Sequence, residues 1–209
     1  MARPSALAAV ALALTSACYA PPRRPAGAQD FGPPGPYPRV PRQTQITGAI
    51  GSRSFDDSSW EPLENQFVTG LSLAEPIEGL FWLEGGIQYS YDSANISIGA
   101  FDEHIRTSLF DLYLGFLLQP RFGYRLRPYG GAGFAMRNVE FEGEELGMFV
   151  REDDISLGGY GKLGLRLEIY PGAFIGMEVR AFQGDPVRLN STNLETDSLQ
   201  VVFVSGTGS

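Results

Sequence analysis

Hydrophobic and polar positions alternate along most of this chain, and the longest unbroken run lies between Asp154 and Gln183. Ile155, Leu157, Gly159, Gly161, Leu163, Leu165, Leu167 and Ile169 share one parity. Ser156, Gly158, Tyr160, Lys162, Gly164, Arg166 and Glu168 share the other. Period two with two unlike faces is the signature of a β-strand. Beyond Pro171-Gly172 the alternation resumes, with Ile175, Met177, Val179 and Ala181 against Gly176, Glu178 and Arg180. The first arm exceeds the usual strand of about five or six residues and suits a membrane-crossing strand of roughly 9–11 tilted residues. In that setting the apolar face meets lipid and the polar face lines an enclosed lumen.

The same pattern predicts six further strands. They are Gln43–Ser54, Gln66–Ala74, Leu80–Asp92, Ile105–Leu118, Pro128–Val139 and Asp197–Val204. With the two arms of 154–183 this makes eight. The connections alternate in length: 55–65, 93–104, 140–153 and 184–196 are long, whereas 75–79, 119–127 and the Pro171-Gly172 turn are short. Both ends of the strand array fall on the short-turn side. A sandwich gives no reason for such alternation, while outer-membrane barrels combine short turns on one side with longer loops on the other. The predicted fold is all-β: an eight-stranded antiparallel up-and-down transmembrane β-barrel over residues 43–204, with 205–209 as a tail.

Composition narrows this further. The 209 residues are 43% hydrophobic and 19% charged, with 26 glycines and 12% aromatics. No apolar run reaches the ~18 residues of a spanning helix, so a helical membrane bundle is excluded. A net charge of −8 argues against a nucleic-acid partner, which wants a basic face. Residues 1–28 read as a targeting segment, with Arg3 before the apolar stretch Ala6–Leu14. Thr15-Ser16-Ala17-Cys18 resembles a bacterial lipobox, in which lipid is attached to Cys18, although Leu14 lies one position too far upstream. Cleavage after Ala28, in Ala26-Gly27-Ala28, is the other reading, and both stay open. Residues 19–42 are dense in proline and predict an extended periplasmic spacer. Cys18 is the one cysteine, so no intrachain disulfide can form.

Two stretches carry a family resemblance: Arg127-Pro128-Tyr129-Gly130-Gly131-Ala132-Gly133-Phe134, and the glycine-spaced Gly158–Glu168 followed by Tyr170-Pro171. In these the chain resembles the small eight-stranded outer-membrane barrels, the OmpA-like transmembrane domain and its relatives. The resemblance implies the outer membrane of a Gram-negative-type bacterium and contact with outer-membrane lipids and lipopolysaccharide. It also implies insertion by the outer-membrane assembly machinery and a monomeric barrel. Barrels of this kind usually finish on an aromatic residue read by that machinery, a part for which Phe203, after Leu199 and Val201, is the candidate.

Candidate chemistry is sparse. Gly159-Tyr160-Gly161-Lys162-Leu163-Gly164 matches G-x-G-x-x-G, but a dinucleotide site needs a strand-to-helix turn there, and these glycines lie inside an alternating strand. His104 is the single histidine, which excludes a multi-histidine zinc site; its place beside Asp102 and Glu103 reads as loop. The acidic stretch 140–154 has no EF-hand spacing and reads as a solvated loop. No cofactor, metal site or catalytic set is expected, and the protein is read as non-enzymatic. The informative set is Glu84, Asp111, Arg137, Lys162, Arg166, Glu168, Glu178 and Arg180, all on the polar faces of their strands. Enclosed in a narrow lumen, these charges must pair, and the network is expected to plug the barrel. In the last long hairpin, cross-strand charge pairing predicts Arg166 directly opposite Glu178. The expected role is structural or surface-interactive. The alternatives are a narrow solute channel, a lipid-modifying barrel enzyme and a lipid-anchored lipocalin-like carrier.

Overall fold

The computed structural model describes residues 44–55, 58–98, 101–120, 125–145, 148–170, 172–189 and 192–208. The targeting segment, Cys18 and the proline-rich spacer lie outside them. The strands are β1 (Gln45–Phe55), β2 (Asn65–Glu78), β3 (Phe81–Ile98), β4 (Phe101–Leu118), β5 (Leu126–Glu145), β6 (Met148–Tyr170), β7 (Ala173–Gly184), β8 (Val187–Leu189), β9 (Thr192–Leu194) and β10 (Ser198–Thr207). A short 3-10 turn, Ser58–Trp60, follows β1. Among the described residues, eight strands close into one antiparallel barrel in the order β1-β10-β7-β6-β5-β4-β3-β2, and β8 and β9 form a separate small hairpin. Each barrel strand pairs with the next one along the chain, and β1 closes the ring against β10, with Ile50 opposite Phe203. Among the described residues, closure leaves the barrel without an unpaired edge strand.

Burial is inverted relative to a soluble barrel. The exposed residues include Ile50, Leu71, Ile87, Leu112, Leu114, Phe116, Phe134, Leu157, Leu165 and Phe203, with Phe134 82% exposed. The fully buried ones include Arg53, Glu84, Arg137 and Lys162. The parity read from the sequence therefore sorts the two faces as expected, with apolar side chains outward and polar ones inward.

Several strands run beyond their predicted ends. β3 and β4 stay paired through 93–98 and 101–104, with Ile98 opposite Phe101, and β5 and β6 through 140–145 and 148–153, with Glu145 opposite Met148. The sequence pattern predicts loops for both stretches. The alternation fades there, although the backbone ladder continues. β2 likewise carries through Pro76 to Glu78, with a bulge between them, and the turn tightens to Gly79 (φ 58°) and Leu80. β10 continues through Ser205, Gly206 and Thr207, which pair with Gly48, Thr47 and Ile46.

The register of the β6–β7 hairpin differs from the expectation. Lys162 faces Arg180, Gly164 faces Glu178, and Arg166 faces Gly176. Tyr170 pairs with Ala173 in a tight turn, Gly172 adopts the left-handed conformation (φ 83°), and a bulge lies between Glu168 and Tyr170. Direct cross-strand charge pairing did not decide this register, because lumen side chains are not confined to the partner opposite. They converge on the barrel axis and pair across it. Elsewhere in the wall, aromatic rings pack against cross-strand glycines. Tyr129 on β5 lies opposite Gly164, where a Cβ would overlap its ring, and Tyr113 lies opposite Gly86 in the same way. Aromatic side chains laid over cross-strand glycines fill a narrow lumen without forcing the wall outward.

Candidate functional site: the charged lumen

The lumen is filled in tiers. Farthest from the short turns is an apolar lid. Phe55 stacks on Trp60 with ring centroids 4.1 Å apart, over Leu109 and Val139 of the wall and Val187 and Leu189 of the small hairpin. The Trp60 indole N–H donates to the Glu195 carbonyl at 2.6 Å, which ties the lid to the segment leading into β10.

Beneath the lid, Asp111 of β4 sits between two arginines. Arg53 of β1 pairs with its Oδ2. Arg137 of β5 donates from Nε to Oδ1 at 2.8 Å and from Nη2 to Oδ2 at 3.2 Å. Such a bidentate fork is the stronger form of an ion pair. Arg137 Nη1 also donates to the Thr196 carbonyl (2.6 Å) and to Ser198 Oγ (3.1 Å), and its guanidinium lies over the Phe182 ring at 3.9 Å. Arg53 Nη1 donates to Ser90 Oγ (2.9 Å), which in turn donates to Gln66 Oε1 (2.7 Å).

In the middle tier Glu178 of β7 is the hub. Lys162 Nζ lies 3.0 Å from its Oε2 and 2.7 Å from Glu84 Oε1 on β3. Arg180 Nη2 reaches Glu178 Oε1 at 2.9 Å, and the Tyr129 hydroxyl donates to Oε2 at 2.9 Å. The Arg180 guanidinium lies over the Tyr113 ring at 4.1 Å.

At the short-turn end Arg166 lies between the rings of Tyr129 (4.1 Å) and Phe174 (4.5 Å), with Nη1 donating to Gln45 Oε1 at 2.7 Å. Glu168 is not enclosed with the others. Its side chain is 19% exposed at the rim, and its partner is Arg127.

Seven of the eight charges singled out in the sequence are thus buried in the lumen: Glu84, Asp111, Arg137, Lys162, Arg166, Glu178 and Arg180. Glu168 belongs to the mouth. Sequence reasoning missed Arg53, Tyr129 and Gln45. Arg53 shares its parity with Gln45 and Thr47, opposite Ile46 and Ile50, so the signal for it was present. Cys18 lies outside the described residues.

The other candidates are placed simply. The G-x-G-x-x-G match lies inside β6. The His104 ring pairs through Nδ1 with Asn95 Oδ1 at 2.7 Å on an exposed part of the β3–β4 hairpin. In the acidic region Arg151 bridges Glu140 and Glu142, and Arg106 also approaches Glu142, at 3.9 Å. Asp154 accepts the backbone N–H of Arg188 at 2.7 Å and of Ile155 at 2.8 Å. These bonds favour its carboxylate form and hold its pKa below the ordinary value.

No protein-family model matches the sequence, and no curated protein matches it significantly. Solved structures do share the fold. Neisserial surface protein A superposes with a TM-score of 0.56 at 14% identity, over 79% of this chain and 96% of that one. A major outer membrane protein of Thermus thermophilus gives 0.53 at 8% identity, over 79% and 98%. The outer membrane protein OprG of Pseudomonas aeruginosa gives 0.50 at 16%, over 79% and 92%. The fold is that of the small eight-stranded outer-membrane β-barrels.

Proposed function

We propose that this protein is an integral outer-membrane β-barrel with a structural or surface-interaction role and a lumen plugged by paired charges. The observation that carries the reading is the inversion of burial, with leucine, isoleucine and phenylalanine outward around the wall and arginine, lysine and glutamate within. A wall of that kind has no stable place in water, since soluble proteins do not expose continuous apolar belts of this extent. A lipocalin-like carrier needs the reverse, an apolar interior. The tiers from Phe55–Trp60 down to Arg166 set large side chains across the lumen at successive levels, which favours a closed barrel over a resting channel. The role is non-catalytic and the barrel monomeric, with outer-membrane lipids and lipopolysaccharide around it and the outer-membrane assembly machinery inserting it. The likeness to a neisserial surface protein accords with a surface role carried by the protruding β3–β4 and β5–β6 hairpins.

Membrane fractionation with alkaline extraction tests this reading. The protein is expected to stay with the membrane pellet, and release into the soluble fraction would reject the integral barrel. Planar-bilayer recording of the purified protein is expected to show no steady conductance. For Cys18, palmitate labelling of the wild type and not of Cys18→Ser would establish the lipoprotein reading. No labelling of either would favour cleavage after Ala28.

A further inference from the structure

The glycines of the wall are not alike. At Gly51, Gly115, Gly158 and Gly176 an added Cβ would run into a backbone oxygen of a neighbouring strand, that of Val201, Ala132, Gln183 and Leu165 respectively. Close backbone packing requires glycine at these positions. Gly85 and Gly159 differ. A Cβ there would meet nothing nearer than Leu114 Cδ1 at 3.5 Å and the Gly133 carbonyl oxygen at 3.7 Å, both ordinary contacts. Gly85 alternates with the exposed Leu83 and Ile87, and Gly159 with the exposed Leu157, so the missing side chains would have pointed outward. Glycine weakens a strand interior, and where packing does not require it, it often marks the close approach of another molecule.

The two dents belong to one groove on the outside of the barrel. Leu73, Gly85, Leu114, Phe134 and Gly159 are successive cross-strand partners from β2 to β6. A second row, from Leu71 on β2 to Leu157 on β6, runs beside them. Together they line an open groove of about 1070 Å³ whose outward side chains are all apolar. Four strand spacings make it roughly 19 Å long. The chains of one leaflet reach through half of the hydrocarbon layer, about 15 Å, so the groove holds such a chain along its length. On β6 it ends at Leu157, next to the exposed Ile155 and then the exposed Asp153. It therefore opens toward the edge of the apolar belt that lies away from the short turns.

We infer that this groove seats an acyl chain of lipopolysaccharide, lodged in the dents at Gly85 and Gly159; the inference rests on the integral-barrel reading above. Phe134 decides between occupants. Its ring is 82% exposed and stands directly beside Gly159 in the row, with Gly85 two strands away. Helices that associate in a membrane approach over small residues, and a helix or the wall of a second barrel is too stiff to pass that ring and fill both dents. A flexible chain bends around it. The lining has no charged side chain to recruit a polar partner, and the leaflet on the side to which the groove opens is the one that carries lipopolysaccharide.

The test uses the full chain extracted from outer membranes in a mild nonionic detergent. Native mass spectrometry is expected to show a lipopolysaccharide adduct on the wild type that is lost in Gly85→Leu/Gly159→Leu, whose side chains fill the dents. Both positions accept a Cβ, so the variant should keep its heat-modifiable band. A wild type without the adduct, an adduct of phospholipid alone, or equal adducts on both proteins would overturn the inference. A wild-type dimer that the double substitution splits would give the groove to a second copy and overturn it too. If the variant does not fold, NMR of the wild type in deuterated detergent with added lipopolysaccharide decides: cross-peaks from acyl-chain protons to the α-protons of Gly85 and Gly159 are expected, and their absence rejects the site. Alkaline extraction separates the two readings. Protein released from the membrane sinks the integral barrel, whereas protein retained there but free of adduct sinks only the groove.

Discussion

Lys162 and Arg180 face each other across the β6–β7 ladder, two cations on neighbouring strands, and both end on the carboxylate of Glu178. Cross-strand repulsion of this kind opposes pairing on an open sheet. Inside a closed barrel the side chains point at a common axis, so one carboxylate can serve two cations, and Glu84 from β3 adds a second.

Glu178 should therefore be more sensitive than Glu84. Glu178→Gln leaves Arg180 without a carboxylate and leaves one acceptor oxygen where Lys162, Arg180 and the Tyr129 hydroxyl now share two. Breaking a buried pair from one side costs about 3–5 kcal/mol. Glu84→Gln should cost less, because Lys162 keeps Glu178. Urea midpoints of the two variants in detergent check the ranking, and equal losses would contradict the hub.

The register has its own test. Arg166 faces Gly176 and donates to Gln45, so the exchange Arg166→Glu with Glu178→Arg should give no recovery over the single variants. The double variant is expected to unfold at the lowest urea concentration of the three. Restoration towards wild type would mean that Arg166 and Glu178 are direct partners after all.

Gly164 is required by Tyr129, whose ring occupies the space a Cβ would take. Gly164→Val is expected to prevent folding, seen as loss of the heat-modifiable band on electrophoresis. Adding Tyr129→Ala should restore part of the folded fraction by clearing the overlap, at the cost of the hydrogen bond to Glu178. If the double variant is no better than Gly164→Val, the glycine is needed for another reason.

The attachment of β8 should depend on pH. Asp154 has a lowered pKa because its carboxylate accepts the backbone N–H groups of Arg188 and Ile155. Its contribution is complete above the ordinary aspartate pKa and is lost as pH falls through the lowered one. Protection of the Arg188 amide, its exchange relative to the intrinsic rate, should be high near neutrality and fall in acid. In Asp154→Asn the exchange is expected to be faster near neutrality and, apart from intrinsic exchange, to show no such dependence. A wild-type profile that tracks intrinsic exchange throughout would remove Asp154 from this role.

The sequence by itself determined where the alternating strands lie, which face their residues take and that the array is an eight-stranded barrel. Period two is a local property of the chain, and the lipid–lumen contrast writes it plainly in Ile155–Ile169 and Phe110–Leu118. It faded at 93–98, 101–104, 140–145 and 148–153, although the backbone ladder of β3 to β6 continues there. Arg53 was legible by parity, since it falls in step with Gln45 and Thr47. Other features were set by closure of the ring. That Asp111 lies between Arg53 and Arg137, that Glu178 serves both Lys162 and Arg180, that Glu168 reaches only the rim, and that Lys162 faces Arg180 all depend on which strands meet around the axis and at what stagger. Parity says that a side chain points inward. Which charge it meets there is decided by the three-dimensional convergence of eight strands, because pairing across a narrow lumen joins residues that are neither neighbours in sequence nor opposite one another in the sheet.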